Sequence, residues 1–368
     1  MRGGVGAYTA LLAQHLRAAG QEIFLFSTRE AQSSNLTLQN NLSGWGPASL
    51  GAVRAWSKQF RVDVINLQFQ TAAYAMSPWI HFLPDVVRAT PVITTFHDLR
   101  FPYLFPKAGR LRNWIVLHLA QVSAGAIVTN HEDFAALHPI SRRQLIPIGS
   151  NITQLLPTDF DASGWRQRAG AQPGDLLLAY FGLVNRSKGV DDLLRCLAIL
   201  RSEHVPARLV IIGGTAGSSD PTNQTYLNEI EQMIRALDLE RHIHRTGYLE
   251  NEAEVAAYLR ASDAVILPFQ DGASYRRGSL MAAIHYGCPI ITTEPSVPIP
   301  AFVQGENLLL VPPGAPHRLA EAVRQLHASP SLGQKLRQGA AHLSTTFHWP
   351  QIASDYIHFF QRVLGDKT

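Results

Sequence analysis

Cysteine is almost missing from this chain: Cys196 and Cys288 are the only two in 368 residues. Both stand in apolar contexts without a partner at metal or disulfide spacing, which excludes a zinc module and a stapled secreted scaffold and implies a reduced, cytoplasmic protein. Long hydrophobic runs are also lacking, so no transmembrane helix is expected. The first residues carry neither the basic nor the apolar zone of a signal peptide. An excess of one charge is absent as well: 32 Lys and Arg stand against 28 Asp and Glu, a formal charge of +4. The basic residues are scattered without interleaved aromatics, which argues against a nucleic-acid partner. A small anionic ligand fits better, as does a peripheral contact with an acidic membrane at its inner face. What the chain has in quantity is core material, with 46% hydrophobic and 16% charged residues. At this length that supports two domains.

The order of the apolar runs sets the class. A helix is expected at Ala7–Ala18, followed by strands at Glu22–Ser27, Val62–Phe69, Pro91–Phe96, Gly125–Asn130 and Gln144–Ile148 with helical patterns between them. The second half repeats the rhythm with strands at Leu176–Phe181, Arg208–Ile212, Ile243–Thr246, Ala264–Leu267, Ile290–Thr293 and Leu308–Val311. Leu193, Leu197 and Leu200 share one helical face, and so do Leu319, Val323 and Leu326, which is ordinary core packing. The turn-rich stretch Pro157–Gly174 has no strong period and reads as the linker. The closing segment Trp349–Leu364 carries Ile352, Tyr356, Phe359 and Val363 at helical spacing, a face that must dock, and the first domain is its expected partner. Two parallel α/β halves create a cleft, and open sheets take ligands beyond the carboxyl ends of their strands.

Several motifs fall at such ends. Asp271-Gly-Ala-Ser-Tyr-Arg-Arg-Gly-Ser-Leu280 lies between the runs Ala264–Phe269 and Pro289–Thr293 and places Arg276, Arg277, Gly278 and Ser279 at a helix entrance. Free N–H groups and guanidinium forks there suit a phosphate. An Arg pair alone is more often a solvated turn, so the neighbouring loops decide. Phe181-Gly-Leu-Val-Asn-Arg-Ser-Lys-Gly189 sets Arg186 and Lys188 between two glycines in a βα loop, an arrangement that can neutralise a diphosphate. Gly213-Gly214 ends the next strand and can line the same cleft or serve only a turn. Thr94-Thr95-Phe96-His97-Asp98 ends a strand before the aromatic loop Phe101–Pro106, where His97 can donate a hydrogen bond to a sugar hydroxyl or be satisfied by backbone.

Gly3-Gly4-Val5-Gly6 runs into the first helix and would let a ligand approach its N-terminus. A dinucleotide fingerprint also needs a preceding strand and an acidic residue at the end of the second strand, where this chain has Phe26-Ser27-Thr28; a Rossmann dehydrogenase is therefore disfavoured. The first strand of a doubly wound sheet is usually central, and here it is missing from the pattern, which reads Met1 as an internal start.

With these residues collected, the chain resembles the group 1 or family 4 retaining glycosyltransferases, which use nucleotide sugars and adopt the GT-B fold. The match spans nearly all of the chain. Besides the loops above it rests on Ile146-Pro-Ile-Gly149, Thr246-Gly247-Tyr248, Ala261-Ser262-Asp263, Gly287-Cys-Pro-Ile-Ile291 and Gly305-Glu306-Asn307, in that order. The resemblance implies two Rossmann-like, doubly wound parallel-sheet domains facing a central cleft. Residues 1–157 would form the acceptor domain, joined by the terminal helix 349–368, and residues 173–348 the donor domain. It implies transfer of a sugar from a nucleotide diphosphate sugar, with retention, to a saccharide or lipid-linked hydroxyl in glycan, polysaccharide or glycolipid synthesis. No metal and no cofactor beyond that co-substrate is implied.

By the same resemblance Lys188 holds the donor diphosphate and His97 lies near the transferred sugar; the reading of the Asp271–Leu280 loop adds Arg277 as a third catalytic group. The donor site would draw on Gly182, Asn185, Arg186 and Gly214, then on Asp271, Ser274, Arg276, Gly278 and Ser279. Gly3, Gly4 and Gly6 would lie beside phosphates and acceptor. Two departures stand out. Leu183 replaces an arginine, so the second cation must come from elsewhere, and Arg186 or Arg277 could supply it. The two glutamates of the family fall on Ser274 and Ala282, which removes the carboxylate that holds the donor ribose and leaves Asp271 as a substitute. A non-catalytic GT-B scaffold, a nucleotide-sugar epimerase and a sugar phosphorylase are the alternatives on this fold.

Overall fold

A computed structural model describes residues 4–32, 36–99, 109–214 and 221–365. The chain divides into two compact units, one of 1–151 with 348–368 and one of 152–347.

The first unit contains α1 (Gly4–Ala18), β1 (Phe24–Thr28), β2 (Thr37–Leu42), α2 (Pro47–Gln59), β3 (Ile65–Phe69), α3 (Leu83–Val86), β4 (Val92–Phe96), α4 (Gly109–Val122), β5 (Gly125–Val128), α5 (His131–Ala136) and β6 (Arg143–Leu145). Its strands form two separate parallel sheets, β1-β2 and β3-β4-β5-β6. One face is covered by a core in which Leu67, Phe69 and Phe96 meet Leu50 and Val53 of α2 and Leu119 of α4. The terminal helix α13 (Trp349–Gly365) covers the other face: Tyr356 donates to Thr95 Oγ1 at 3.2 Å, and α13 packs along α1.

The second unit holds α6 (Ala162–Arg168), β7 (Leu176–Phe181), α7 (Val190–Ser202), β8 (Ala207–Ile212), α8 (Pro221–Ala236), β9 (Ile243–Gly247), α9 (Glu252–Ala261), β10 (Ala264–Leu267), α10 (Gly278–His285), β11 (Ile290–Thr293), β12 (Leu309–Val311), α11 (Pro316–Ala328) and α12 (Pro330–Ser344). Its single parallel sheet runs β12-β11-β10-β7-β8-β9. The order reverses beside β7, the first strand, so the ends of β7 and β10 form a switch point where open α/β sheets take ligands. Both faces are covered, which is why β10 and β11 are buried throughout and read as unbroken apolar runs. The fold is GT-B: two Rossmann-like parallel-sheet units in one chain.

Three elements differ from the sequence reading. β2 (Thr-Leu-Gln-Asn-Asn-Leu) is too polar to show as a strand, because it pairs only along one edge with β1. The stretch read as the linker contains α6, started by Asp161, whose carboxylate accepts from the N–H groups of Ser163 and Gly164, and anchored by buried Trp165 against Tyr258. Helix α1 begins at Gly4 rather than Ala7, so Gly4 and Gly6 are helical rather than part of a loop; first-turn N–H groups need no intrahelical acceptor, which lets glycine sit there at little cost. Cys196 and Cys288 are both buried, and burial pushes each thiol up to about 12. Among the described residues, no helix is long and apolar enough to cross a membrane.

Candidate active site

In the second unit the site is assembled from bare backbone and cations at the carboxyl ends of β7, β8 and β10. Gly182 follows β7 with φ +127°, and Gly213 follows β8 with φ +120°. A Cβ on Gly213 would stand 3.1 Å from the Gly182 carbonyl, so these two turns approach each other as only glycines allow. A Cβ on Gly214 would meet the Cβ of Tyr248 at 3.5 Å, and the Tyr248 ring is 79% exposed beside this floor.

The loop from β7 to α7 is fixed by its own turn. Lys188 N–H donates to the Asn185 carbonyl at 3.0 Å, and Asn185 Oδ1 accepts from Ser187 at 2.9 Å. Gly189 then takes φ +64° at the start of α7, where a Cβ would lie 2.0 Å from the Pro268 carbonyl. Gln270 ties the two loops together: its N–H donates to the Ser187 carbonyl at 2.9 Å and its Nε2 to Asp192 at 2.6 Å. The result is a fixed perch for Lys188. Its Nζ lies 2.6 Å from where a Gly182 Cβ would be, and the Cβ of Ser279 lies 3.8 Å from that same point, so the ammonium sits over Gly182 near the start of α10. That ammonium has no hydrogen bond or ion pair with any described residue. Burial, and then the positive charge of Arg277, lower Lys188 to about 8.

Helix α10 opens on Arg277 and Gly278 with no acidic residue in its first turn, so its free N–H groups add positive potential at the same place. Arg277 lies over the Phe269 ring at 4.7 Å and pairs with Asp271. Arg276 pairs with the other oxygen of Asp271 at 3.3 Å. The Ser274 carbonyl accepts from Arg277 N–H at 3.0 Å, closing the turn before the helix. The structure therefore brings Gly182, Lys188, Arg277, Gly278 and Ser279 together, with Asp271 as the counter-charge of both arginines. It engages Arg186 elsewhere: that guanidinium, 68% exposed, bonds Glu229 of α8 at 2.5 Å and lies over Tyr226. A ready counter-ion on α8 explains why the loop's second cation is not beside its first. Ala282 is fully buried, a methyl where the resembled family has a carboxylate.

The first unit supplies a separate cluster around His97. The residue follows β4, its N–H donating to the Phe69 carbonyl at 2.9 Å. Its Nε2 meets Gln68 Oε1 at 2.9 Å, while Gln68 Nε2 donates to Asn66 Oδ1. The amide orientation makes Nε2 the protonated nitrogen. Burial lowers His97 to about 4, so the ring is neutral, and Nδ1 is left as an acceptor. With Nε2 engaged by Gln68, Nδ1 is the ring nitrogen left for another partner. Tyr8 stands edge-on to the ring at 4.8 Å, and its hydroxyl meets that of Tyr356 at 3.1 Å. Asp98 accepts from Gln70 at 3.1 Å. Gly3 and the aromatic loop 101–106 lie outside the described residues. Tyr8, Gln68 and Tyr356 escaped the sequence reading, because each sits in an apolar stripe that reads as plain packing. Among the described residues no cluster of His, Cys, Asp or Glu could hold a metal ion.

Comparison with known proteins gives consistent matches. Residues 161–343 match the family described as glycosyl transferases group 1, and residues 2–138 match glycosyltransferase family 4. The D-inositol 3-phosphate glycosyltransferase of Rhodococcus erythropolis is 26% identical over 249 residues, 64% of this chain and 53% of that protein. The chain thus spans about half the length of that relative. The glycogen synthase of Mycobacterium tuberculosis is 26% identical over 319 residues, 83% of this chain and 69% of that one. Among solved structures, sucrose-phosphate synthase from Thermosynechococcus elongatus superposes with a TM-score of 0.78 at 18% identity, covering 99% of this chain and 94% of that one. Anabaena HepE in complex with UDP-glucose superposes with a TM-score of 0.76 at 17% identity, covering 97% and 96%. These likenesses establish a shared fold.

Proposed function

The chain belongs to the group 1 and family 4 glycosyltransferases, and from that membership we propose that it transfers a glycosyl unit from a nucleoside diphosphate sugar to an acceptor hydroxyl with retention of configuration. The observation that carries the proposal is the Lys188 ammonium, held without a partner among the described residues over Gly182, beside Arg277 and the start of α10. Cleaving the sugar–phosphate bond leaves a diphosphate, so the transition state needs charge stabilisation more than covalent help. Lys188, Arg277 and the N–H groups of Gly278 and Ser279 are preorganised for that task. The donor phosphate receives the acceptor proton on the same face of the sugar. His97, in the first unit, has Nδ1 available to accept a hydrogen bond from a sugar hydroxyl. Tyr248 offers its exposed ring as a platform for a planar base. Donor binding by the second unit and acceptor binding by the first is part of the same reading, with a saccharide or lipid-linked acceptor.

Support for the donor class comes from HepE, whose structure was solved with UDP-glucose. Retention and the acceptor class are carried over from the resemblance as part of the proposal. A nucleotide-binding protein without transferase activity is the second reading; it draws on Ala282 and Ser274, where the resembled family has carboxylates. A panel of nucleotide sugars with released nucleoside diphosphate as readout tests both. Lys188→Ala is expected to lower transfer about 100-fold or more. Full activity in that variant removes the diphosphate assignment, whereas UDP binding without turnover in the parent protein favours the second reading.

A further inference from the structure

His97 ends a chain of side-chain amides whose direction is dictated by the backbone. Asn66 of β3 stands opposite Ile93 of β4 in the parallel ladder. Its Nδ2 donates to the Ile93 carbonyl at 3.1 Å and to Thr95 Oγ1 at 3.0 Å. A carbonyl only accepts, so the Asn66 amide has one orientation, with Oδ1 turned to Gln68. That oxygen also only accepts, which draws Gln68 Nε2 to it and turns Gln68 Oε1 towards His97. Oε1 meets His97 Nε2 at 2.9 Å, so the ring proton is on Nε2. Turning either amide over would set two oxygens against each other where water cannot relieve them, since Gln68 is 8% exposed and Thr95 is fully buried. Thr95 Oγ1 takes a second bond from Tyr356 at 3.2 Å, and the Tyr356 hydroxyl meets that of Tyr8 at 3.1 Å. Side chains from β3, β4, α1 and α13 thus converge on the placing of one proton.

The tautomer decides what the other nitrogen can bind. Nδ1 has no hydrogen bond to any described residue and keeps its lone pair. A lone pair accepts from a hydroxyl and repels a carboxylate or phosphate oxygen, which brings no proton. The ring does not charge to welcome an anion either, because burial lowers it to about 4. We propose that Asn66 and Gln68 are positioning residues that lock the His97 proton on Nε2, and that the bare Nδ1 makes His97 a specificity residue for a sugar that is uncharged and bears a hydroxyl where it meets the ring. The sugar class rests on the transferase reading above, whereas the place of the proton does not. On that reading the transferred unit is a neutral hexose rather than a hexuronic acid.

NMR of the protein labelled with nitrogen-15 histidine reads each ring nitrogen directly, with His97 assigned by its loss in His97→Gln. At pH 7 the parent should show a protonated Nε2 and a bare Nδ1; a proton on Nδ1 overturns the proposal, whatever the variants do. Gln68→Met keeps the length of the side chain and removes the acceptor, so Nε2–H would be buried without a partner and the proton should move to Nδ1. Asn66→Leu frees the Gln68 amide to turn and should give averaged shifts at both nitrogens, although Asn66 has no hydrogen bond to His97. Shifts equal to the parent's in both variants overturn the lock. If one variant does not fold, the parent spectrum and the other variant decide. For the sugar, the ratio of kcat/KM for a nucleotide hexose to that for the matching hexuronic acid should fall at least about tenfold from the parent to Gln68→Met, because Nδ1–H donates to a carboxylate. An unchanged ratio beside a moved proton overturns the specificity assignment. No turnover with any donor refutes the transferase reading, while the nitrogen shifts still decide the lock.

Discussion

At the scale of single residues, the Lys188 ammonium is held below its ordinary range. Lys188 is lowered to about 8, first by burial and then by the neighbouring Arg277. Only the protonated form attracts a diphosphate, so donor affinity should be full well below pH 8 and fall as pH rises through it. A bound diphosphate stabilises the ammonium and raises its pKa, which requires proton uptake on binding near that pH. Calorimetry of UDP binding in buffers of different ionisation enthalpy should show this uptake at pH 8 and little at pH 6.5, with affinity about tenfold weaker at pH 9.5 than at pH 7. Lys188→Arg keeps its charge throughout and should flatten the profile. A flat profile in the parent protein assigns the diphosphate to other groups. The same scale shows why His97 could not be read fully in advance. Its place at a strand end is visible in Thr94–Asp98, but the proton on Nε2 is set by Gln68, a neighbour across the sheet.

At the scale of elements, the loops matter more than the helices they join. Gly189 sits at φ +64°, and a Cβ there would lie 2.0 Å from the Pro268 carbonyl, a backbone atom that cannot rotate away. Gly189→Ala should therefore destabilise the protein by more than about 1 kcal/mol and displace the loop that carries Lys188. Gly278 is the contrast: a Cβ there meets nothing within 4 Å, so Gly278→Ala should change stability by no more than about 0.5 kcal/mol. Urea unfolding of the two variants, followed by UDP titration, separates them; equal stability would mean that the Gly189 turn relaxes freely. Elements were legible in the sequence wherever a local pattern matched the environment. The buried strands β10 and β11 appear as apolar runs because helices cover both their faces, whereas β2 is hidden by its polar sequence. The glycine and lysine loop was legible because positive φ calls for glycine. The pairing of Asp271 with both arginines was not, since it depends on the path of a turn rather than on spacing. Nor was the contact between Tyr8 and Tyr356, which spans nearly the whole chain.

At the scale of the whole molecule, burial of neutral histidines couples stability to acidity. His15, His81, His97 and His131 in the first unit, and His242 and His244 in the second, are all lowered from 6.5, with burial as the first cause in each. Each therefore holds a proton less tightly in the folded protein than in the unfolded chain. The unfolded state therefore binds more protons below pH 6.5, and stability, complete above that value, declines as pH falls towards the folded pKa values. His97, lowered to about 4, extends the decline furthest, and it alone should account for a loss on the order of 3 kcal/mol between pH 7 and pH 4. Four of the six histidines lie in the unit built from residues 1–151 and 348–368, so that unit should lose its structure first on acidification. Urea midpoints measured from pH 7 down to pH 4.5, followed through tryptophans, can tell the units apart, because Trp45, Trp56 and Trp349 report on the first and Trp165 on the second. The steeper decline should belong to the first unit and become shallower in His97→Gln, which keeps a hydrogen-bonding side chain but cannot charge. A decline of equal slope in both units, unchanged by that substitution, would locate the acid sensitivity in carboxylates instead.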